Sequence, residues 1–137
     1  MVFGEFFPSP GGHPLTDEAR ARMSPLAAFG AEVIGTAILL LVIFCVTDAR
    51  NAARPQILTA TTIGLTITLL ISLLGPLTMA CFNPARDLAP RVFSSLAGWG
   101  AIPFQVNGIG WLTPLLGGLL GGAIYIAWFK PGYQVVE

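Results

Sequence analysis

The sequence predicts an all-α membrane protein built from three transmembrane helices and one shorter, re-entrant half-helix. Three observations predict it. Hydrophobic residues make up 54% of the chain and charged residues 10%, with a mean hydropathy of +0.74, whereas soluble domains carry about 25% charged residues. Three apolar runs, from about Leu26 to Thr47, Gln56 to Leu74 and Trp111 to Phe129, are each long enough for a bilayer, which takes ~20 residues to cross. Between the second and third runs lies a polar island, Thr78–Arg91, holding Asn83, Arg86, Asp87 and Arg91. Polar and charged groups at membrane depth are costly and usually functional.

Composition also narrows the function classes. The net charge is zero, with seven basic and seven acidic residues, which argues against nucleic acid as a partner. Cys45 and Cys81 are isolated in apolar runs and suggest neither a disulfide framework nor a metal site. The single histidine, His13, lies in a Pro/Gly-rich stretch. No nucleophile–base pair, metal cluster or phosphate loop is evident, so neither an enzyme nor a cofactor is expected.

Taken in order, residues 1–25 read as an entry loop, because Phe6 to Gly12 with its prolines and glycines cannot continue as helix or strand. Met1 to Pro14 lacks the basic start and continuous apolar core of a signal peptide. The first span, residues 26–47, carries one charge, Glu32, one turn before Thr36. Glu32 either snorkels to the interface or faces the protein interior. The second reading accounts better for the polar groups, since an extended loop at Thr78–Phe82 has backbone N–H donors that a buried carboxylate can accept.

Residues 48–55 form a polar connector, and the second span follows at 56–74, with hydroxyls at Thr59, Thr66 and Thr68 able to bond back to helix carbonyls. Gly75-Pro76 is expected to end that helix and turn the chain back, opening a re-entrant loop and half-helix over 75–98. Asn83 is a good N-cap, Pro84 suits the first helical position and Asp87 suits the positive end of the helix dipole. The helix should break at Gly98-Trp99-Gly100, too short to span the bilayer. Irregular backbone at that depth needs protein or a water-filled cavity around it. The third span, 111–129, carries Gly117, Gly118, Gly121 and Gly122, two small-residue registers that permit close helix approach within one chain or between chains. Residues 130–137 form the tail.

Gly75-Pro76-Leu77-Thr78, Asn83-Pro84-Ala85-Arg86-Asp87 and Ala97-Gly98-Trp99-Gly100 together resemble the second signature region of the aquaporin and glycerol-facilitator (major intrinsic protein) family. Asp87, directly after Asn-Pro-Ala-Arg, resembles the glycerol-facilitator branch more than the strict water channels. The likeness runs from about Phe6 to Lys130 and covers the C-terminal half of such a channel, a half-aquaporin of residues 1–137 forming one inverted repeat of the fold. The resemblance implies an integral, multi-pass protein of the cell membrane that passes water and small neutral solutes.

On that resemblance, Glu32 with Thr36 braces the pore loop, and Arg86, at i+3 from Asn83, is the filter arginine. Asn83 offers its amide N–H to a passing oxygen, and the positive helix end repels cations. Asp87 tunes the site through nearby backbone or a basic side chain, and Arg91 suits a structural ion pair. Two further filter positions fall on Ile71 and Ala80, where the glycerol facilitators carry Gly and an aromatic and water channels carry His at the first. This mouth matches neither type, so water is expected and glycerol stays open. Cys81 is expected to face the pore, where a mercurial would block it.

A pore built from inverted repeats needs two opposed half-helices meeting at the midplane. The second half is expected from an inverted copy of this chain or from a separate protein resembling the first half. Arg20 and Arg22 stand on one side against Arg50, Arg54 and Lys130 on the other, and so weak a Lys/Arg asymmetry gives little orientation bias. That favours dual topology and an inverted self-pair, assembled further as the family does, for example four pores from eight chains. A non-conducting subunit that modulates full-length channels is the reading from another class.

Overall fold

The structure, a computed structural model, describes residues 24–54, 57–105 and 110–133; the entry loop and the end of the tail fall outside these. The described residues are all-helical. Helix α1 (Pro25–Thr47) starts at Ser24, whose hydroxyl accepts the Ala27 N–H at 3.1 Å, with Pro25 in the first helical position. Helix α2 (Thr59–Thr78) follows the polar connector. After an extended loop come the half-helix α3 (Pro84–Ser94), a π-helical turn at Ser95–Trp99 and a short helix α4 (Ile102–Gln105). Helix α5 (Leu112–Ile124) continues through a π-helical turn at Tyr125–Phe129 and a 3-10 turn to Gly132. α1, α2 and the α5 rod from Leu112 to Gly132 are long and apolar enough to cross a membrane, whereas α3 has 11 residues and falls short.

Two boundaries differ from the sequence expectation. Helix α2 does not stop at Leu74; it continues through Gly75 and Pro76 to Thr78 and ends on Met79, whose left-handed backbone (φ 68°) lets its N–H bond the Gly75 carbonyl at 2.9 Å. Proline removes one donor from the helical ladder but has helical φ itself, so it weakens a turn without ending it. The re-entrant loop therefore begins at Met79. The third span closes in a 3-10 turn at Lys130–Gly132, past its expected end at Phe129.

α1 is the central helix and packs mainly against α5, then against α2. The glycines of α5 explain how close that approach is. A methyl group at Gly117 would lie 2.5 Å from the Val33 carbonyl oxygen and 2.6 Å from Thr36 Cβ, and one at Gly121 would collide with the Ala37 carbonyl. At Gly118 and Gly122 it would meet only Leu40 at 3.9 Å and Phe44 at 3.5 Å. Both registers face α1 within this chain, the first backbone to backbone and the second side chain to backbone.

The far ends of α1 and α5 are tied by polar contacts. Asp48 accepts the Arg50 backbone N–H at 2.8 Å and Arg50 Nε at 3.0 Å, and the Tyr125 hydroxyl donates to its other oxygen. The Tyr125 ring also packs on Phe44, with centroids 5.4 Å apart. By contrast α2 is little buried, with Leu65, Leu69 and Leu73 all more than half exposed.

Candidate functional site

The loop between α2 and α3 has an unusual backbone. Met79, Ala80 and Phe82 take φ values of 68°, 50° and 49°, a region non-glycine residues enter at a cost of order 1–3 kcal/mol each. Such a loop persists only when its surroundings over-determine it, and its N–H groups lack helical partners. Glu32 supplies most of the determination. Its side chain is fully buried, one oxygen accepts the Cys81 N–H at 3.0 Å, and the other accepts the Phe82 N–H at 3.1 Å. The Thr78 hydroxyl also donates to Glu32, and the Ala80 N–H reaches back to the Thr78 hydroxyl at 3.3 Å. One buried carboxylate thus collects three donors from both ends of the loop.

Thr36 lies beside this cluster without joining it. Its hydroxyl donates to the main-chain carbonyl of Glu32 at 2.8 Å, and its Cβ packs against Gly117. The hydroxyl answers a carbonyl one turn back, a local bond always within reach on a helix, so Thr36 serves the α1–α5 contact and touches the loop only through Glu32.

The loop delivers Asn83 as the N-cap of α3. Asn83 Oδ1 accepts the Ala85 N–H at 2.9 Å and the Arg86 N–H at 3.4 Å, with Pro84 in the first helical position. With its oxygen committed to the cap, the carboxamide turns its NH2 outward, and among the described residues it meets no acceptor. Asn83, Ala85 and Arg86 are all exposed. The positive end of the helix dipole falls at the same place. Arg86 Nη1 donates to the Ala80 carbonyl at 2.6 Å, so main-chain oxygen holds the guanidinium beside the loop.

The other charged pair is internal. Asp87 and Arg91, one turn apart on α3 and both nearly fully buried, bond through Arg91 Nε at 3.0 Å to each carboxylate oxygen and Nη2 at 2.9 Å to Oδ1. Arg91 also donates to the Pro103 carbonyl, fastening α3 to α4. Asp87 is therefore internal and acts on the half-helix as a whole.

Two positions sit elsewhere than their sequence reading implies. Ala80 is 1% exposed and its side chain lies in an apolar cluster with Leu39, Leu70 and Phe82; its carbonyl, not its methyl, is what it presents to Arg86. Cys81 is buried, its thiol donating to the Asn83 carbonyl at 3.2 Å. The left-handed turns at Met79 and Ala80 rotate both side chains away from the side that simple alternation along an extended loop assigns them. Ile71 is half exposed on α2 and makes no polar contact, as its side chain requires. Gly35 was not legible as part of this site: a methyl there would meet Phe82 Cζ at 2.9 Å and Leu74 Cδ1 at 2.7 Å. Its spacing of three from Glu32, on the same helix face, was the available signal.

Beyond the loop, the outer side of α3 opens an apolar groove of about 500 Å³ lined by Ala85, Leu88, Ala89, Val92, Phe93 and Leu96. Among the described residues no group of three or more metal-ligating side chains occurs.

A family model described as Major intrinsic protein matches residues 9–125. Curated relatives include Aquaporin-9 of Homo sapiens, 43% identical over 103 residues covering 72% of this chain and 35% of that protein. Aquaporin-8 of Milnesium tardigradum is 39% identical over 125 residues, 88% of this chain and 36% of that protein. Aquaglyceroporin-2 of Rhizophagus irregularis is 39% identical over 107 residues, 75% of this chain and 34% of that protein. The chain thus spans little more than a third of the length of these relatives.

Proposed function

This chain belongs to the major intrinsic protein family and is an integral, multi-pass membrane protein; from that membership we propose that it supplies one half of a passive pore for water and small neutral solutes. The observation that carries the reading is the Glu32-braced loop, which leaves the Asn83 carboxamide N–H outward at the positive end of α3 with Arg86 beside it. A water or alcohol oxygen accepts from such donors at small cost, while a cation meets positive potential. Glycerol enters the proposal through the likeness to Aquaglyceroporin-2 of Rhizophagus irregularis and the aspartate after the Asn-Pro-Ala-Arg run.

The pore is completed by a second half whose half-helix opposes α3. Without it, Asn83, Arg86 and the apolar groove on α3 stay uncovered, and polar backbone facing lipid is unfavourable. We favour an inverted copy of this chain, on the near-balance of Lys and Arg between its two sides. Such a pore is two-fold symmetric, with Arg86 near both mouths.

Osmotic shrinkage of vesicles holding the purified chain, with Asn83→Asp as control, tests this. Fast flux from the chain alone, abolished by the substitution, supports the inverted pair. Flux that arises only when a protein resembling the first half is co-reconstituted supports a two-protein pore. Absence of Asn83-dependent flux from well-inserted protein in both arms overturns the pore reading.

A further inference from the structure

Phe82 is the residue immediately before Asn83, and α1 holds it at two points. Its N–H is bonded to Glu32 Oε2 at 3.1 Å, and its ring, 8% exposed, sits against Gly35. Glu32 and Gly35 are three residues apart on α1 and therefore on one face, so a single helix face grips both the backbone and the side chain of Phe82. The fit at Gly35 is tight: a methyl group there would overlap the edge of the ring, with Cζ at 2.9 Å. Interiors pack too densely for such an overlap to be absorbed without movement. The ring's other neighbours, Leu39, Leu70 and Ala80, close the cluster around it.

We propose that Gly35 and Phe82 form a lock that sets the pose of Asn83, making Gly35 a positioning residue for the pore and Phe82 the lever through which it acts. The proposal rests on the pore reading for its consequence, though not for its geometry. Phe82 occupies the left-handed region at φ 49°, a conformation held by its surroundings and not by intrinsic preference. Displacing the ring releases that φ, and the rotation is transmitted through one peptide bond to the Asn83 cap. The glycine is required because anything larger on α1 occupies the ring's seat. The thiol of Cys81, buried under the loop and bonded to the Asn83 carbonyl, is carried by the same rotation and reports on it.

The test uses the full chain in vesicles with Cys45→Ser, so that Cys81 is the remaining cysteine. Gly35→Val is expected to raise the rate of maleimide labelling at Cys81 about tenfold or more, since local opening governs access to a buried group. Phe82→Ala added to Gly35→Val should return labelling toward the parent rate and restore Asn83-dependent flux lost in the single variant. Gly35→Ala, a milder overlap, gives the same signs at smaller amplitude if Gly35→Val does not fold. Unchanged labelling in both Gly35 variants overturns the lock. So does rescue by Leu74→Ala with none by Phe82→Ala, which would assign Gly35 to helix packing alone. Labelling that follows the expected pattern in protein without Asn83-dependent flux, both alone and with a first-half protein co-reconstituted, keeps the lock and overturns the pore reading instead.

Discussion

At the scale of single residues, the site is an account of donors and acceptors around Glu32. Removing the carboxylate with Glu32→Ala leaves the Cys81 and Phe82 N–H groups and the Thr78 hydroxyl without their acceptor. Unsatisfied buried donors cost about 1–3 kcal/mol each, partly relieved by loop movement, so the variant should lose roughly 2–5 kcal/mol. Denaturant titration in detergent measures it, and a wild-type midpoint would mean the loop stands without Glu32. Arg86 is different, because it is exposed and bonds the outside of the loop at the Ala80 carbonyl. Arg86→Ala should leave assembly intact and relax selectivity toward larger or charged solutes. Vesicle flux with a graded polyol series reads that change, and an unaltered series would remove Arg86 from the filter. Neither Ala80 nor Cys81 follows the pattern a sequence reader applies to a loop, because positive φ at non-glycine residues leaves no mark in composition or alternation. A mercurial should accordingly react slowly with Cys81 in the intact loop.

At the scale of elements, helix type and span were legible because apolar run length and capping residues are local properties. Asn83 marks a helix start through bonds made within three residues, and Pro84 suits the position after it. What was not legible involves partners distant in sequence. The Tyr125–Asp48 bond joins residues 77 apart, and the seat of Phe82 on Gly35 is visible only once α1 and the loop meet. The glycines of α5 show the same limit: the pattern predicts close approach but not which register meets backbone. Gly117→Ala and Gly121→Ala should destabilise by about 1–3 kcal/mol each, through forced separation of α1 and α5. Gly118→Ala and Gly122→Ala have room and should be neutral or stabilising by up to about 1 kcal/mol, from helix propensity. Thermal unfolding in detergent separates the two pairs, and equal effects would show that α5 is not held in this register.

The connector behaves as a small electrostatic element of its own. The Arg50 side chain, then its backbone N–H, hold the Asp48 carboxyl down from its ordinary 3.8 to about 2. A depressed carboxylate contributes stability that is fully present above its unfolded value and is lost as pH falls through the folded one. The tie between α1 and the end of α5 should therefore be constant through neutral pH and weaken only between about pH 4 and 2. Amide exchange at Arg50, followed against pH, measures this. Asp48→Asn should show the acid-state exchange rate at neutral pH, and protection lost already near pH 6 would mean that another group controls the connector.

At the scale of the whole molecule, the described residues bury one side and leave the other open. α1 packs on α2 and α5, yet the groove on α3 is open, and Ala85 in its lining stands in the chain between exposed Asn83 and Arg86. Lipid can cover Leu, Val and Phe side chains at no penalty, so the apolar part of that surface does not by itself require a partner. The polar part does, because a carboxamide and a guanidinium in hydrocarbon cost several kcal/mol. A second half that covers Asn83 and Arg86 must also pass over the adjoining groove. Val92 lines it and is 43% exposed, so Val92→Gln places an amide in the contact while leaving the Glu32 cluster and the Asp87–Arg91 pair untouched. If a protein half covers the groove, the variant should insert normally, lose Asn83-dependent flux, and run as a smaller species when sized in native nanodiscs. If lipid covers it, flux and size should match the parent, and completion of the pore must be sought on a face other than this groove.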